Sequence, residues 1–206
     1  MSSSLPPPIN TLVAPYALHE VKPHSFIYEI EHALTADICQ EIIRRFEANA
    51  AQQYAGRIGQ VAQHDVSIKR STDLAVSGNP QWSDIDQILM RSTGLAVRLV
   101  REKFPYFNGR FKDMGYNVQR TDAGEFYHWH VDGGSHEFSQ RQLVVIWYLN
   151  DVPGPGGETE FLFQDVKIQP QEGKMLLFPP FWTHEHRGAM LLAGVKYIAT
   201  TWVVFA

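Results

Sequence analysis

Five of the nine histidines fall in two short stretches, and these stretches contain the residues best suited to chemistry. They are His128, His130 and His136 in YHWHVDGGSH, and His184 and His186 in FWTHEHRG. Residues two apart in a β-strand point to the same side, so His130 and Asp132 are expected to project together. A histidine from the second stretch would then complete a set of two imidazoles and one carboxylate.

Two imidazoles and one carboxylate on one side of an ion form the facial triad of non-haem iron sites, which leaves positions open for substrates. Nine histidines and 22 acidic residues in 206 positions give about one His-x-Asp or His-x-Glu pair by chance, so the pair alone could be a strand-end ion pair. A turn at 122–124 and the glycines at 133–134 flank it. Because His184 and His186 have the same parity, the residues alone leave the third ligand open between them.

Lys196 is a candidate for the cation that a metal site for an organic acid would require. It lies in GVKYIATTWVVF, among apolar and aromatic residues. A lysine that points inward from such a strand requires an anionic partner. Considered alone, a strand lysine is more commonly on a solvated face, so its assignment depends on the rest of the site.

The elements that would position these residues change in kind near residue 114. Before it, TADICQEIIRRFEANA predicts an amphipathic helix behind a Thr35 N-cap, and a second helix begins at Asn79 and ends before Pro105. The stretch 24–30 predicts a strand. After it come short runs rich in β-branched and aromatic residues, separated by Gly, Pro and Asp. The predicted strands are 116–121, 126–131, 143–149, 159–163, 166–168, 175–178, 183–186 and 195–205.

Two helices followed by roughly eight strands predict an α+β fold that is mainly β. We expect a double-stranded β-helix, or jelly roll, with the N-terminal helices packed on one outer face. Residues 1–23 are proline-rich and predict an extended or disordered arm, and 24–206 predict a single domain with its catalytic core at about 114–206. The polar stretch 50–64 is either a surface loop or a mobile lid.

The composition excludes several classes of function. A net charge of −4 without a run of Lys or Arg does not suit a face that binds nucleic acid. Cys39 is the single cysteine, which excludes an intrachain disulfide framework and a cysteine-rich zinc site. No stretch approaches the roughly 18 to 20 apolar residues of a membrane span, and MSSSLPPPINTLVAP does not resemble a secretory signal. We therefore expect a cytoplasmic protein with no nucleic-acid or membrane partner.

Three runs carry a resemblance to a known family: QRTDAGEFYHWHVDGG, WYLNDVPGPGGETEF and FPPFWTHEHRGAMLLAGVKYIATTW. Together they resemble the 2-oxoglutarate and Fe(II)-dependent dioxygenases of the prolyl 4-hydroxylase-like type, over residues 116–205. The stretch 24–30 and its helix also look like that family's N-terminal part. The resemblance implies an oxygenase that uses Fe(II), 2-oxoglutarate and O2, with ascorbate as a candidate reductant. It would hydroxylate an unactivated C–H bond and release succinate and CO2.

The resemblance also implies which residues hold the metal. His130 and Asp132 match the family's proximal iron ligands. His186 matches the distal ligand, because it stands ten residues before Lys196 and because Gly194 lies two before that lysine, as in the lysine-bearing members.

By the same likeness, Lys196 and Tyr148 bind the far carboxylate of 2-oxoglutarate, and Tyr127 lines the iron pocket. Several relatives have a tyrosine near the position of Arg120, so an arginine there implies a different substrate or a different contact with the co-substrate. Five residues are candidates for contacting substrate or supporting the ligands: Arg120, His128, Trp129, His184 and Trp202.

The sequence leaves the substrate undecided, and it leaves two other classes of protein as alternatives. A peptidyl proline is the substrate that the likeness suggests, and a small molecule is the alternative; the oligomeric state is unknown. A cupin-like jelly roll would bind metal without 2-oxoglutarate through His128 and His130, although it would carry a glutamate where Gly134 and Ser135 stand. A non-catalytic binding module is the other alternative.

Overall fold

The computed structural model describes residues 16–59 and 65–206, which contain two α-helices, 13 β-strands and four short 3-10 helices. Within this part of the chain, no helix is long and apolar enough to cross a membrane. The helices are α1 (Ala36–Ala48) and α2 (Ser83–Lys103), and the strands are β1 (His19–Glu20), β2 (Tyr28–Ile30), β3 (Tyr54–Ala55), β4 (Thr72–Ala75), β5 (Phe111–Asp113), β6 (Asn117–Asp122), β7 (Tyr127–His130), β8 (Arg141–Tyr148), β9 (Thr159–Phe161), β10 (Val166–Ile168), β11 (Met175–Phe178), β12 (His186–Gly188) and β13 (Val195–Phe205).

Two antiparallel sheets form the body of the protein. In the described residues the larger sheet has nine strands, in the order β1-β2-β11-β8-β13-β6-β4-β3 with β5 added beside β13. The smaller has four strands, in the order β10-β9-β12-β7. Non-consecutive strands therefore lie side by side in both sheets, as in a jelly roll. The predicted fold class, a mainly β jelly roll with supporting helices, is confirmed.

Strand β8 shows how the larger sheet is covered on both faces. Its residues alternate between two apolar cores: Trp147 packs in the core that contains α1 and α2, whereas Tyr148 packs in the core between the two sheets. A strand buried on both faces is nearly continuous in apolar residues, and LVVIWYL has this composition. The indole Nε1 of Trp147 donates to Ser92 Oγ of α2 at 3.0 Å, so the buried polar atom is satisfied.

Helix α1 is amphipathic because Ile38, Ile42 and Phe46 repeat at helical spacing on its buried face. Thr35 occupies the N-cap position but forms no side-chain cap hydrogen bond. The loop before the helix passes very close to the turn that leads to β11. Gly173 has φ +80°, and a Cβ there would lie 2.4 Å from Leu34 O, so this approach requires glycine.

Some predicted element boundaries are wrong, each for a local reason. The predicted strand 183–186 is a 3-10 helix, Trp182–His184, closed by His184 N donating to Phe181 O; the strand begins at His186. The predicted strand 24–30 begins at Tyr28, because the positive φ angles of His24 and Phe26 interrupt an extended chain.

The sheet also begins earlier than the predicted change near residue 114, since β1 to β5 precede it. Of the segment predicted as an arm, residues 1–15 lie outside the described residues, and His19–Glu20 pairs with β2. Of the candidate lid, 60–64 lie outside the described residues, and the remainder includes a 3-10 helix and β3. The domain boundaries and the lid stay predictions.

Replacing Ile42 with alanine tests whether α1 is part of the main core. Ile42 is fully buried, so removing its side chain leaves a cavity and should lower the free energy of unfolding by about 2 to 5 kcal/mol. Urea denaturation followed by circular dichroism measures the change. The exposed neighbour Gln40→Ala is the control and should stay within about 0.5 kcal/mol of wild type. A loss below about 1 kcal/mol for Ile42→Ala would contradict this packing.

Candidate metal centre

His130, Asp132 and His186 come together between the two sheets. His130 is the last residue of β7 and His186 the first of β12, and the antiparallel pairing of these strands sets the two histidines opposite each other. Asp132 follows β7 by two residues, and its Oδ2 lies 3.4 Å from His186 Nε2. One donor atom from each residue lies within 4.8 Å of the others. The three side chains can therefore bind one ion.

Backbone carbonyls orient both imidazole rings. His130 Nδ1 lies 2.7 Å from His128 O, and His186 Nδ1 lies 2.9 Å from His184 O. A carbonyl oxygen can only accept, so each Nδ1 carries the proton and each Nε2 keeps a lone pair. This arrangement is typical of metal-binding histidines, because the second hydrogen bond fixes the tautomer.

Arg141 supports the acidic member of the site. Its Nη1 donates to Asp132 O at 2.8 Å and lies 3.9 Å from Oδ1 of the same residue. The guanidinium is held between the rings of Phe138 and Trp202, with its central carbon 3.9 Å from each ring centre. Asp132 N also donates to Pro180 O at 3.1 Å. The main chain of Asp132 is thus fixed by hydrogen bonds at its N–H and at its carbonyl, and a buried cation lies near its carboxylate.

The electrostatics of the site suit a divalent metal. Burial, followed by the nearby His186, lowers the pKa of His130 to about 3, although Asp132 opposes the shift. The imidazole is therefore neutral near pH 7, which is the form that binds metals. Two neutral nitrogens and one carboxylate are the donor set of non-haem Fe(II) oxygenases, so the residues fit an iron ion.

The site opens into a cleft of about 810 Å³, solvent-open mouth included. Lys196 lines the cleft and is buried, and its Nζ donates to Gly157 O at 2.8 Å. No carboxylate among residues 16–59 and 65–206 forms an ion pair with it. Burial lowers the pKa of Lys196 to about 8, and the charge of Glu158 opposes the shift. An uncompensated buried ammonium favours an anionic ligand in the cleft.

Tyr127 and Tyr148, the two tyrosines predicted to lie near the iron and 2-oxoglutarate, occupy different positions relative to the cleft. Tyr127 stacks on His130, with ring centres 3.6 Å apart and ring planes at 16°. Tyr148 is fully buried behind the cleft wall, and its hydroxyl lies 2.7 Å from Thr159 Oγ1, which itself lines the cleft. Burial raises the pKa of both phenols, so both are neutral hydrogen-bonding groups near pH 7.

His184 is engaged elsewhere. Its Nε2 donates to Ser25 O at 2.9 Å, and its Nδ1 therefore accepts from Thr183 Oγ1 at 2.9 Å. With both nitrogens bonded to protein, His184 contributes its carbonyl to His186 rather than a ligand atom. His184 therefore lies outside the three-residue metal group found in the described chain.

The other candidate residues divide between the cleft and the surface. Trp202 lines the cleft. Arg120 does not: it bonds Glu47 at 3.1 Å and pairs with Asp122 at 3.3 Å, because strand alternation turns it away from its cleft-lining neighbours. His128 is exposed, and the Trp129 ring lies against Arg187, 4.7 Å from its guanidinium carbon.

Several residues of the cleft were missed by the sequence reasoning. Arg141 supports Asp132, and a buried ion pair joins Lys69 Nζ to Asp73 Oδ2 at 2.8 Å. Lys69 and two exposed arginines, Arg57 and Arg70, line the cleft. Lys69 and Asp73 share strand parity, which was the available signal, but an isolated Lys–Asp pair in a polar stretch is common.

Comparison with known proteins supports the same chemistry. Residues 116–204 match the family described as the 2OG-Fe(II) oxygenase superfamily, which covers the metal ligands and Lys196. This match supports a 2-oxoglutarate-dependent dioxygenase that uses Fe(II), 2-oxoglutarate and O2, and the group of His130, Asp132 and His186 fits the iron of such an enzyme. No curated protein matches the chain in sequence.

Solved structures share the fold at low sequence identity. A prolyl hydroxylase from Trichoplax adhaerens, in complex with a peptide fragment of the hypoxia inducible factor oxygen degradation domain, has a TM-score of 0.74 at 16% identity, covering 88% of this chain and 84% of its own. The viral collagen prolyl hydroxylase of Paramecium Bursaria Chlorella virus-1, as a 2OG complex, gives 0.65 at 18%, covering 91% and 100%. A Pseudomonas putida prolyl-4-hydroxylase gives 0.67 at 17%, covering 88% and 93%.

Binding of a divalent metal should stabilise the protein through these three residues. With Mn(II) at 100 times its dissociation constant, mass action adds roughly 2.7 kcal/mol, which raises the melting temperature by about 5 to 10 °C in a protein of this size. Differential scanning fluorimetry with and without chelator measures it. Asp132→Ala should lose the shift, and His128→Ala, at an exposed position of β7, should keep it. A shift retained in Asp132→Ala would mean that the metal binds elsewhere.

Proposed function

We propose that His130, Asp132 and His186 hold Fe(II) and that Lys196 binds the far carboxylate of 2-oxoglutarate. The observation that carries this assignment is that a metal-binding triad and an uncompensated buried ammonium line one cleft. When bound, the iron and 2-oxoglutarate supply the oxidation, in which O2 hydroxylates an unactivated C–H bond of the substrate and succinate and CO2 are released.

The surrounding residues orient these groups and limit the access of water. Lys196 presents a charge-assisted donor to the carboxylate, and the Thr159 hydroxyl, bonded to Tyr148, also lines the cleft as a neutral partner. Tyr127 covers one face of His130. Apolar side chains of β8, Val144 and Ile146, also line the cleft and lower the local dielectric, which strengthens the polar contacts.

A peptidyl proline is the substrate class that we propose first, with a small molecule as the alternative. The support is the shared fold of the three prolyl hydroxylases, one of which is bound to a peptide. A cupin-like metal protein would not require the ammonium of Lys196, and a binding module would not consume 2-oxoglutarate. The cytoplasmic location and the use of ascorbate stay predictions.

Anaerobic optical titration tests the cofactor assignment. Adding 2-oxoglutarate to the protein loaded with Fe(II) should give a visible charge-transfer band, which requires chelation of iron by the keto acid. Lys196→Ala should weaken 2-oxoglutarate binding by about 10- to 100-fold, because a hydrogen bond to a charged group contributes about 1.5 to 3 kcal/mol. The exposed Lys112→Ala is the control and should titrate as wild type. Tight metal binding without a band at saturating 2-oxoglutarate would contradict the assignment.

The affinity for 2-oxoglutarate should also depend on pH. Since the pKa of Lys196 is about 8 in the free protein, the ammonium that binds the carboxylate is lost as the pH rises through that value. At pH 9 only about one tenth of it stays protonated, so binding should be roughly tenfold weaker than at pH 7. Lys196→Arg stays charged and should show a flat profile between these pH values. A flat profile for the wild type would contradict a co-substrate-binding lysine whose pKa is about 8.

A further inference from the structure

Two arginines stand at the mouth of the cleft. Arg57 and Arg70 are the exposed members of the described cleft lining, whereas the metal ligands and Lys196 lie deeper. Strands β3 and β4 pair Tyr54 with Asp73 and run antiparallel, and Gly56 N donates to Ser71 O at 2.8 Å. Arg57 and Arg70 each lie one residue beyond this hydrogen-bonded pair, and both line the cleft.

Like charges that line one cleft repel each other, and the described protein does not offset them. Neither arginine forms an ion pair with a carboxylate among residues 16–59 and 65–206. The Arg57 guanidinium carbon lies 4.8 Å from the centre of the Tyr54 ring, and that of Arg70 lies 5.4 Å from the Phe126 ring. Aromatic faces hold both cations, and Arg70 Nε also donates to Val66 O at 3.0 Å. The terminal nitrogens of both arginines remain available to a ligand.

The neighbouring cation shows the contrast. Lys69 also lines the cleft, but it is buried and paired with Asp73 at 2.8 Å, and Ser71 Oγ donates to the other oxygen of that carboxylate at 2.7 Å. The charge of Lys69 is thus neutralised within the protein. The positive charges without a partner at the mouth are those of Arg57 and Arg70.

A charge balance for the loaded site leaves these two exposed positive charges at the mouth. The charges of Fe(II), the two carboxylates of 2-oxoglutarate, Asp132 and Lys196 sum to zero, and Lys69 with Asp73 also sums to zero. Arg141, beside Asp132, adds one further positive charge, which is buried. The mouth therefore keeps two positive charges in a chain whose net charge is −4. This local excess is opposite in sign to the protein as a whole, and it would attract an anion.

We propose that Arg57 and Arg70 form a carboxylate-binding subsite for the prime substrate, so that the compound hydroxylated carries an acidic group near its reacting C–H bond. The guanidinium fork is suited to carboxylates, because two parallel N–H groups can bind both oxygens. This inference rests on the proposed function. The carboxylate belongs either to an acidic side chain of a peptide or to a free amino acid.

The test compares ligands that differ in charge alone, on the protein loaded with Fe(II) and 2-oxoglutarate under argon. Fluorescence anisotropy measures the binding of labelled Gly-Glu-Pro-Glu-Gly and Gly-Gln-Pro-Gln-Gly, and competition compares L-proline with L-prolinamide. We expect the acid of at least one pair to bind at least tenfold tighter than its amide, with a smaller difference at high salt. Preference within the peptide pair assigns the carboxylate to a side chain, and preference within the second pair assigns it to a free amino acid.

Variants make the test specific to the two arginines. The double variant Arg57→Gln, Arg70→Gln should abolish the preference for the acid, whereas Arg110→Gln, an exposed arginine outside the cleft, should keep it. Equal binding of acid and amide in both pairs, no binding of either acid, or a preference that survives in the double variant would overturn the proposal. The charge-transfer band of the wild type in the same samples reports on the proposed function separately, so failure of one does not imply failure of the other.

Discussion

The antiparallel pairing of β7 with β12 is the constraint on which the site depends. It sets His130 opposite His186, although 56 positions separate them in sequence. Asp132, two residues after the end of β7, then lies next to the imidazole of His186. A shift of one residue in this register would turn one histidine to the opposite face of the sheet and dismantle the triad. The pairing is in turn fixed by β9, which holds the other edge of β12.

The second determinant is the burial of polar groups between the two sheets. A buried imidazole or ammonium is costly unless it is hydrogen-bonded, and the fold meets this cost with backbone carbonyls: His128 O, His184 O and Gly157 O accept from the two ligands and Lys196. Because these acceptors are neutral carbonyls on the far side of each ring, Nε2 of both histidines keeps its lone pair for a metal. The positive charge of Lys196 is likewise not cancelled. The interior is therefore ordered before any ligand binds, and it is electrostatically incomplete without a cation and an anion.

The sequence was sufficient for the fold class and for the residues that carry strong local signals. The apolar run in β8 and the helical repeat in α1 are local patterns, and both elements form where the sequence predicts them. The sequence could not establish which candidates share the cleft, because that depends on pairings far apart in the chain. Strand alternation turns Arg120 away from the cleft and toward Glu47. The contact of Arg141 with Asp132, and the presence of Arg57 and Arg70 in the cleft lining, could be recognised only from the three-dimensional structure.

The central claim is that one cleft holds the metal at the triad and the far carboxylate of 2-oxoglutarate at Lys196. A crystal grown with Mn(II) and 2-oxoglutarate tests it most directly, since anomalous diffraction locates the manganese independently of the refined protein. The account predicts a peak bound by Nε2 of His130, Nε2 of His186 and the carboxylate of Asp132, with the far carboxylate of the keto acid on Lys196 Nζ. A peak at any other residues, or a keto acid directed away from Lys196, would contradict it.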